Sequence, residues 1–322
     1  MKPRPSGHLA LLAALLASVL HVAGAPDAAQ TAAGLLPLWK VEGGKSPVFL
    51  LGSVHVMKPE HYPLPALIES TFSNAQVAVF ETDIGRMASP DTAMKIMSRS
   101  RLPAGTTLRD VLPQDLYSNL VAHAKAAGLP PAILDGFVPP VAVVTLVALE
   151  LQKLGMDPEH GIDRYFFDRA VKEKKQIVPL ETIDFQIDLI TRLPREEEVL
   201  FVKITLDEFE LAKEEVEGLV AAWRSGDADK LEKYLNEADR QAPALFKRFV
   251  GDRNERWLPE IEKLLHGDQQ AIVIVGAAHL VGPDSVVSLL QKRGLKVTQM
   301  RGADSEGAAR PADAPVAAPS AR

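Results

Sequence analysis

The chain has 322 residues, 47% of them hydrophobic and 24% charged, with a formal net charge of −6 and no cysteine. That composition supports a sizeable folded core, and its acidic balance argues against a nucleic-acid backbone as partner. Without cysteine there is no disulfide, iron–sulfur cluster, thiolate zinc site or cysteine nucleophile, so a metal would have to be held by histidine, carboxylate or backbone oxygen.

Residues 1–25 read as a secretory signal. Lys2 and Arg4 give a positive start, Leu9 to Leu20 is apolar apart from Ser18, and Ala23-Gly24-Ala25 has a small-x-small cleavage pattern. The apolar run is short of the ~20 residues that span a bilayer. No stable membrane anchor is therefore expected after cleavage, and an exported chain without cysteine suits a bacterial periplasm or secretion. At the far end, residues 302–322 are almost all Ala, Pro, Gly, Ser and charge and read as a disordered tail. A folded body of about residues 36–301 remains.

Within that body, short apolar runs alternate with helical patterns. Val48-Phe49-Leu50-Leu51 runs into Gly52-Ser53, and Val77-Ala78-Val79-Phe80 runs into Glu81-Thr82-Asp83. Helical spacing follows over Pro113 to Ala127, Pro139 to Leu154 and Ile162 to Lys175. A third apolar run, Ile177 to Leu180, leads into Glu181-Thr182, and helical spacing returns over Glu196 to Arg224, Ala228 to Ala238 and Arg253 to Leu265. Ala271 to Val275, leading into Gly276, and Lys296 to Met300 complete the expected strands. Continuous apolar runs of this kind are the mark of buried, mainly parallel strands. The expected architecture is α/β: one domain whose central, mainly parallel sheet is assembled from both chain ends, with a large helical middle or cap.

The chemistry-bearing residues gather where strands end. Gly52-Ser53-Val54-His55 and Gly276-Ala277-Ala278-His279 are two copies of Gly-x-x-His, each following a buried run. Glycine permits a tight exit and close backbone approach, and open α/β sheets bind ligands at the carboxyl edge. Glu81 and Asp83 follow the second run and share a face if that strand persists, while Glu181 repeats the placement. His55, Glu81 and His279 then form an oxygen and nitrogen set for a divalent metal with open positions, and such a metal can activate water or polarise a carbonyl. Arg253 and Asn254, at the head of a helix, are candidates to bind an anion or oxyanion. No Gly-x-Ser-x-Gly elbow, Walker loop or His-Glu-x-x-His is present.

These residues resemble the TraB/GumN family, related to the TIKI proteases. The resemblance rests on Gly52-Ser53-Val54-His55 with Pro63-Leu64-Pro65, Phe80-Glu81-Thr82-Asp83, Gly161-Ile162-Asp163, Leu180-Glu181-Thr182, Arg253-Asn254-Glu255-Arg256-Trp257 and Gly276 through Gly282. It implies an α/β fold like that of erythromycin esterase-like and ChaN-like proteins. It also implies a metal-dependent centre at His55, Glu81 and His279, supported by Glu181, Arg253 and Asn254. The expected function is an exported metal-dependent hydrolase, a peptidase, acting on a peptide or small-molecule substrate with Mn²⁺ or Co²⁺, or else Zn²⁺. In it Glu81 or Glu181 takes the proton of the attacking water, and Arg253 with Asn254 stabilises the oxyanion. The alternative is a non-enzymatic haem-, iron- or ligand-binding periplasmic protein, with Tyr62 and His61 as axial candidates.

Overall fold

Six strands build one sheet: β1 (Leu35–Glu42), β2 (Val48–Ser53), β3 (Val77–Phe80), β4 (Gln176–Pro179), β5 (Ala271–Gly276) and β6 (Lys296–Arg301). Their order across the sheet is β4-β3-β5-β2-β1-β6. Pairing is parallel for β4/β3, β3/β5 and β5/β2, and β1 alone runs against its neighbours β2 and β6. The computed structural model describes residues 34–207, 209, 212–235 and 242–302. The expected signal segment, and the expected tail apart from Gly302, lie outside the described residues.

The centre of the sheet follows from its sequence. Every residue of β2 (VFLLGS) and of β5 (AIVIVG) is buried. At about 1.5–3 kcal/mol for each fully buried branched side chain, these two strands supply much of the apolar attraction that fixes the sheet. β4 alternates exposed ends with a half-buried middle, as a sheet edge does. β1 is the strand that the sequence did not announce. A proline is ordinarily disfavoured inside a strand, yet β1 contains Pro37: it pairs with β2 from Leu38 to Val41, and its register with β6 breaks between Leu35 and Trp39. The proline falls in that break, where a ladder hydrogen bond is not required.

Eleven longer helices accompany the sheet among the described residues: α1 (Ala66–Asn74), α2 (Pro90–Arg99), α3 (Gln114–Ala126), α4 (Pro139–Lys153), α5 (Ile162–Lys172), α6 (Ile183–Thr191), α7 (Arg195–Asp207), α8 (Ala212–Ser225), α9 (Ala228–Leu235), α10 (Asp252–His266) and α11 (Val286–Lys292). The span expected as one helix from Glu196 to Arg224 is thus two helices, and the expected end of the next, beyond Leu235, lies outside the described residues. α5 packs on β3 and β4, α8 on β1, and α11 on β6. The architecture is α/β, with a mostly parallel sheet and many helices, and five of the six strands come from residues 35–80 and 271–301. No described helix is long and apolar enough to cross a membrane.

Candidate active site at the carboxyl edge of the sheet

Because β2, β3, β4 and β5 run in one direction, their carboxyl ends lie along one edge. Ser53 and His55 leave β2 there, Glu81 leaves β3, Glu181 follows β4, and Gly276 and His279 leave β5. Backbone bonds lock these exits: Glu181 N–H donates to Glu81 O at 2.8 Å and Ile162 N–H to Val54 O at 3.0 Å. Trp223 of α8 donates its indole N–H to Gly52 O at 2.6 Å, satisfying a carbonyl that the tight exit would otherwise leave bare. Gly161, immediately before α5, presses against the same exit so closely that a Cβ there would collide with the carbonyl of His55. Only glycine permits that approach, and it delivers the first turn of α5 to His55.

The two histidines are tuned in opposite directions. His55 Nδ1 and Asp163 Oδ2 are 2.9 Å apart and both side chains are buried. Burial disfavours the imidazolium, but Asp163 outweighs it, with Glu81 adding to the pull, and the ionisation of His55 is pushed up to about 9. With Nδ1 committed to Asp163, Nε2 is left buried and without a partner. His279 is 1% exposed. Its Nδ1 donates to Asn254 Oδ1 at 2.6 Å, and Asn254 Nδ2 donates to Asp284 O at 2.8 Å, which sets the amide's orientation and therefore the tautomer of His279. Burial and the neighbouring Arg253 guanidinium push His279 down to about 3, so it is a neutral hydrogen-bond acceptor in the fold.

These opposed shifts predict a stability maximum near pH 6.5, the ordinary histidine value. Below it the unfolded chain protonates His279 while the fold does not, so stability falls toward pH 3. Above it the fold keeps a proton on His55 that the unfolded chain has lost, so stability falls again as pH rises through about 9. Each limb is worth on the order of 3–5 kcal/mol. Thermal melts across this range should show both limbs in wild type and a flattened alkaline limb in His55→Gln; an unchanged alkaline limb in that variant would sink the assignment.

Arg253 bridges two acidic residues and a histidine. It is 3% exposed and lies at the start of α10, directly after a π-helical turn over Lys247–Gly251. Its Nε donates to Glu181 Oε1 at 2.9 Å, and its Nη2 donates to Glu181 Oε2 at 2.9 Å and Glu81 Oε2 at 2.5 Å. Nη1 donates to Phe249 O at 3.0 Å and lies 3.1 Å from His279 Nε2. All five guanidinium N–H groups are thereby used. Glu181 also accepts from Trp257 Nε1 at 3.0 Å and Gln186 Nε2 at 2.5 Å, filling its four acceptor positions. The Trp257 ring lies 4.4 Å from that of His279 and beneath Arg253. Glu81 Oε1 accepts from Gly276 N–H at 2.7 Å. Burial alone would raise the Glu81 carboxyl; Arg253, the histidines and that amide hold it well below the usual carboxylate range.

This geometry revises several expected roles. All of the Arg253 donors are committed within the protein, so Arg253 arranges the site and presents no free N–H to an oxyanion, and Asn254 spends its Oδ1 on His279 and one N–H on Asp284 O. Glu181 has no lone pair left for a water proton, and Glu81 is held too acidic to be an effective base. Asp83 does not share the Glu81 face, because β3 stops at Phe80; its carboxylate caps the next turn by accepting from Arg86 N–H. Tyr62 donates to His160 O at 2.6 Å with its ring against Tyr165, and His61 Nδ1 accepts from Lys58 N–H.

The three expected metal ligands lie close together. His55 Nε2 is orphaned, and a Cβ on Gly276 would sit 3.3 Å from Glu81 Oε1, 3.5 Å from His55 Nε2 and 3.6 Å from His279 Cδ2, so these side chains do converge over a bare glycine. His55 Nε2 and Glu81 Oε1 fit a divalent ion by donor type. His279 turns its Nε2 to Arg253, and no group of three His, Asp or Glu arranged to hold a metal exists among the described residues. Asp163 entered the sequence reading only within the Gly161-Ile162-Asp163 motif, with no role at the site assigned to it. Apart from that motif its local signal is an acid in the first turn after Gly161, which reads equally as ordinary helix-dipole compensation.

Above these groups lies a cavity of about 270 Å³. Ser53, His55, Glu81 and Asp163 line it together with Ile84, Met87, Ile96, Val144, Ile187 and Ile190. A carboxylate-held histidine and a buried arginine–carboxylate bridge under an apolar cavity at the strand ends make this edge the candidate ligand-binding or catalytic cleft.

The chain belongs to the TraB/PrgY/gumN family, whose family model matches residues 37–299. It is 23% identical over 242 residues to the uncharacterized protein YbaP of Escherichia coli K12, covering 75% of this chain and 87% of that one. It is also 23% identical to the metalloprotease TIKI2 of Xenopus tropicalis, over 85% of this chain and 61% of that protein. The metalloprotease TIKI1 of Danio rerio is likewise 23% identical, over 81% of this chain and 62% of the relative. No solved structure matches it significantly.

Proposed function

We propose that the protein is an exported, metal-dependent hydrolase that acts on peptides. The observation that carries the reading is the orphaned Nε2 of His55, held by Asp163 at the base of the cavity beside an anionic Glu81. The metalloprotease relatives support the reaction class, and the basic, apolar start of the sequence supports export. His55 and Glu81 would hold the ion, Mn²⁺, Co²⁺ or Zn²⁺, and when bound it supplies Lewis acidity and an activated water. The protein's own residues prepare that site. Asp163 keeps the proton on Nδ1 of His55 and leaves Nε2 without a partner within the protein. Arg253 and the Gly276 amide keep Glu81 ionised, and Asn254 keeps His279 neutral. The burial of His55, Asp163 and Arg253 strengthens the charge interactions at the floor.

The test pairs metal content with turnover. Purified protein loaded with each ion and gel-filtered should retain about one ion per chain, and His55→Ala should retain none. A peptide library should be cleaved by the loaded wild type and spared after chelation. Full cleavage after exhaustive chelation would remove the metal from the reading, and no cleavage under any loading would remove the hydrolase.

A further inference from the structure

Of the ten residues of α2, eight are exposed, Arg99 is half-buried and Thr92 alone is buried. A helix in a folded protein ordinarily draws its stability from an apolar face packed on its neighbours, and α2 buries one threonine. Met94, Met97 and Ile96 are 66%, 52% and 36% exposed, three of the five large hydrophobic side chains left exposed among the described residues. α2 nevertheless forms a wall of the cavity above the strand ends. Ile96 lines it with Ser100, which follows the helix, and with Ile84 and Met87 of the short helix Ile84–Met87 before it. What ties α2 to the body is charge. Lys95 pairs with Asp184 of α6 at 3.2 Å, and Arg99 pairs with Asp184 at 2.6 Å and Asp188 at 3.0 Å.

We infer that α2 is a lid over the cavity, latched to α6 by the Lys95 and Arg99 ion pairs, and that it opens when those pairs break. The inference concerns access to the cavity and goes beyond the hydrolase reading. Both ends of the segment are fixed. Before it, Glu181 N–H donates to Glu81 O at 2.8 Å; after it, Val138 N–H donates to Ser100 O at 2.8 Å and Leu102 N–H to Gly136 O at 2.9 Å. Between those anchors the main packing partners of α2 are α6 and the short helix Ile84–Met87, so it can swing without disturbing the sheet. Latch and lining share a face on each helix. Arg99 lies three residues after Ile96, and Asp184 and Asp188 lie three and one from Ile187, at helical spacing. Forming the ion pairs therefore brings the two cavity-lining faces together, with His55 and Glu81 among the groups enclosed. Exposed ion pairs are individually weak and are screened by salt, and segments with few buried apolar contacts are the first to open. A latch of this kind holds the wall in place and still releases it readily, as access to a cleft requires.

The lid can be read without turnover, by the rate at which N-ethylmaleimide labels a single introduced thiol in the full-length chain, which has no cysteine of its own. Ile187→Cys places that thiol in the buried lining of the cavity on α6, and Thr145→Cys places it on α4 should the first fail to fold. Adding Arg99→Gln removes the pairs to both acids and should speed labelling about five-fold or more. Raising the salt from about 0.02 M to about 0.5 M should speed it in the latched protein and have no further effect once Lys95→Gln and Arg99→Gln are both present. Ala124→Cys, buried in α3 away from the cavity, reports opening of the body as a whole and should label slowly in every case. Hydrogen exchange gives a label-free reading: amides of residues 93–99 should exchange faster than those of α4 and faster still in Arg99→Gln. Cavity labelling indifferent to both salt and Arg99→Gln overturns the lid. So does acceleration at Ala124→Cys in parallel with the cavity thiol, which would mean that the body and not α2 is opening. Failure of the hydrolase reading looks different, since labelling then still responds to the latch while no peptide is cleaved.

Discussion

Arg253→Met should lower the unfolding free energy by about 3–5 kcal/mol, which for a body of this size is a melting-temperature loss on the order of 10 °C. The reason is what the substitution leaves behind. Glu81 and Glu181 have side chains 12% and 6% exposed, and both are neutralised by the same guanidinium. Methionine fills much of the arginine's volume but leaves two carboxylates buried without a cation, and it strips His279 Nε2 and the Phe249 carbonyl of a donor. Arg253→Lys keeps the charge but cannot span the bidentate contact with Glu181 and the contact with Glu81 together, so an intermediate loss is expected. The sharper form of the experiment is a cycle. Adding Glu181→Gln to Arg253→Met removes one of the stranded charges and should recover part of the loss, whereas Glu181→Gln alone should destabilise. Melts of the four proteins at neutral pH decide it. A loss of under about 1 kcal/mol for Arg253→Met, or a double variant no better than the single, would show that the bridge does not hold this edge together.

That bridge also marks the boundary of what the sequence could convey. The carboxyl-edge placement of His55, Glu81, Glu181 and His279 was legible because each follows a short apolar run, and period and composition alone identify such runs as buried parallel strands. What the four residues do there was not legible, because the arbiter is Arg253, 72 positions from Glu181 and 172 from Glu81 in the chain. Its position at the head of a helix suggested a donor free for a ligand, and only the folded geometry shows all five of its N–H groups consumed. Asp163 was hidden for a similar reason. It lies 108 residues from His55, and nothing local separates an acid that orients a histidine from one that merely complements a helix dipole. β1 was not read from the sequence; it contains Pro37, a residue disfavoured inside strands, which is accommodated here in a register break.

Removal of the His55 side chain should have the largest effect on turnover. If peptide hydrolysis runs through Nε2 of His55, His55→Ala should reduce kcat/KM by about 10²–10⁴-fold and leave the far-ultraviolet spectrum unchanged. Asp163→Asn tests how His55 is prepared. The carboxylate is what overcomes the desolvation of the buried imidazolium, so without it burial wins and the ionisation of His55 should fall from about 9 to below its ordinary 6.5. The proton-bearing Nδ1 also loses an anionic acceptor, and partners of this kind are worth about 10–100-fold in activity or metal affinity. A merely structural Asp163 would lower the melting temperature and leave both the histidine titration and the kinetics of the surviving folded protein as they were. The two roles therefore separate in one set of samples: NMR titration of the His55 ring in the metal-free protein, followed by the pH dependence of kcat/KM for the metal-loaded form. A His55 resonance that still titrates near 9 in Asp163→Asn would mean that another charge sustains the imidazolium. Glu81 is the group in position to do so, and adding Glu81→Gln to Asp163→Asn should then bring the ionisation down.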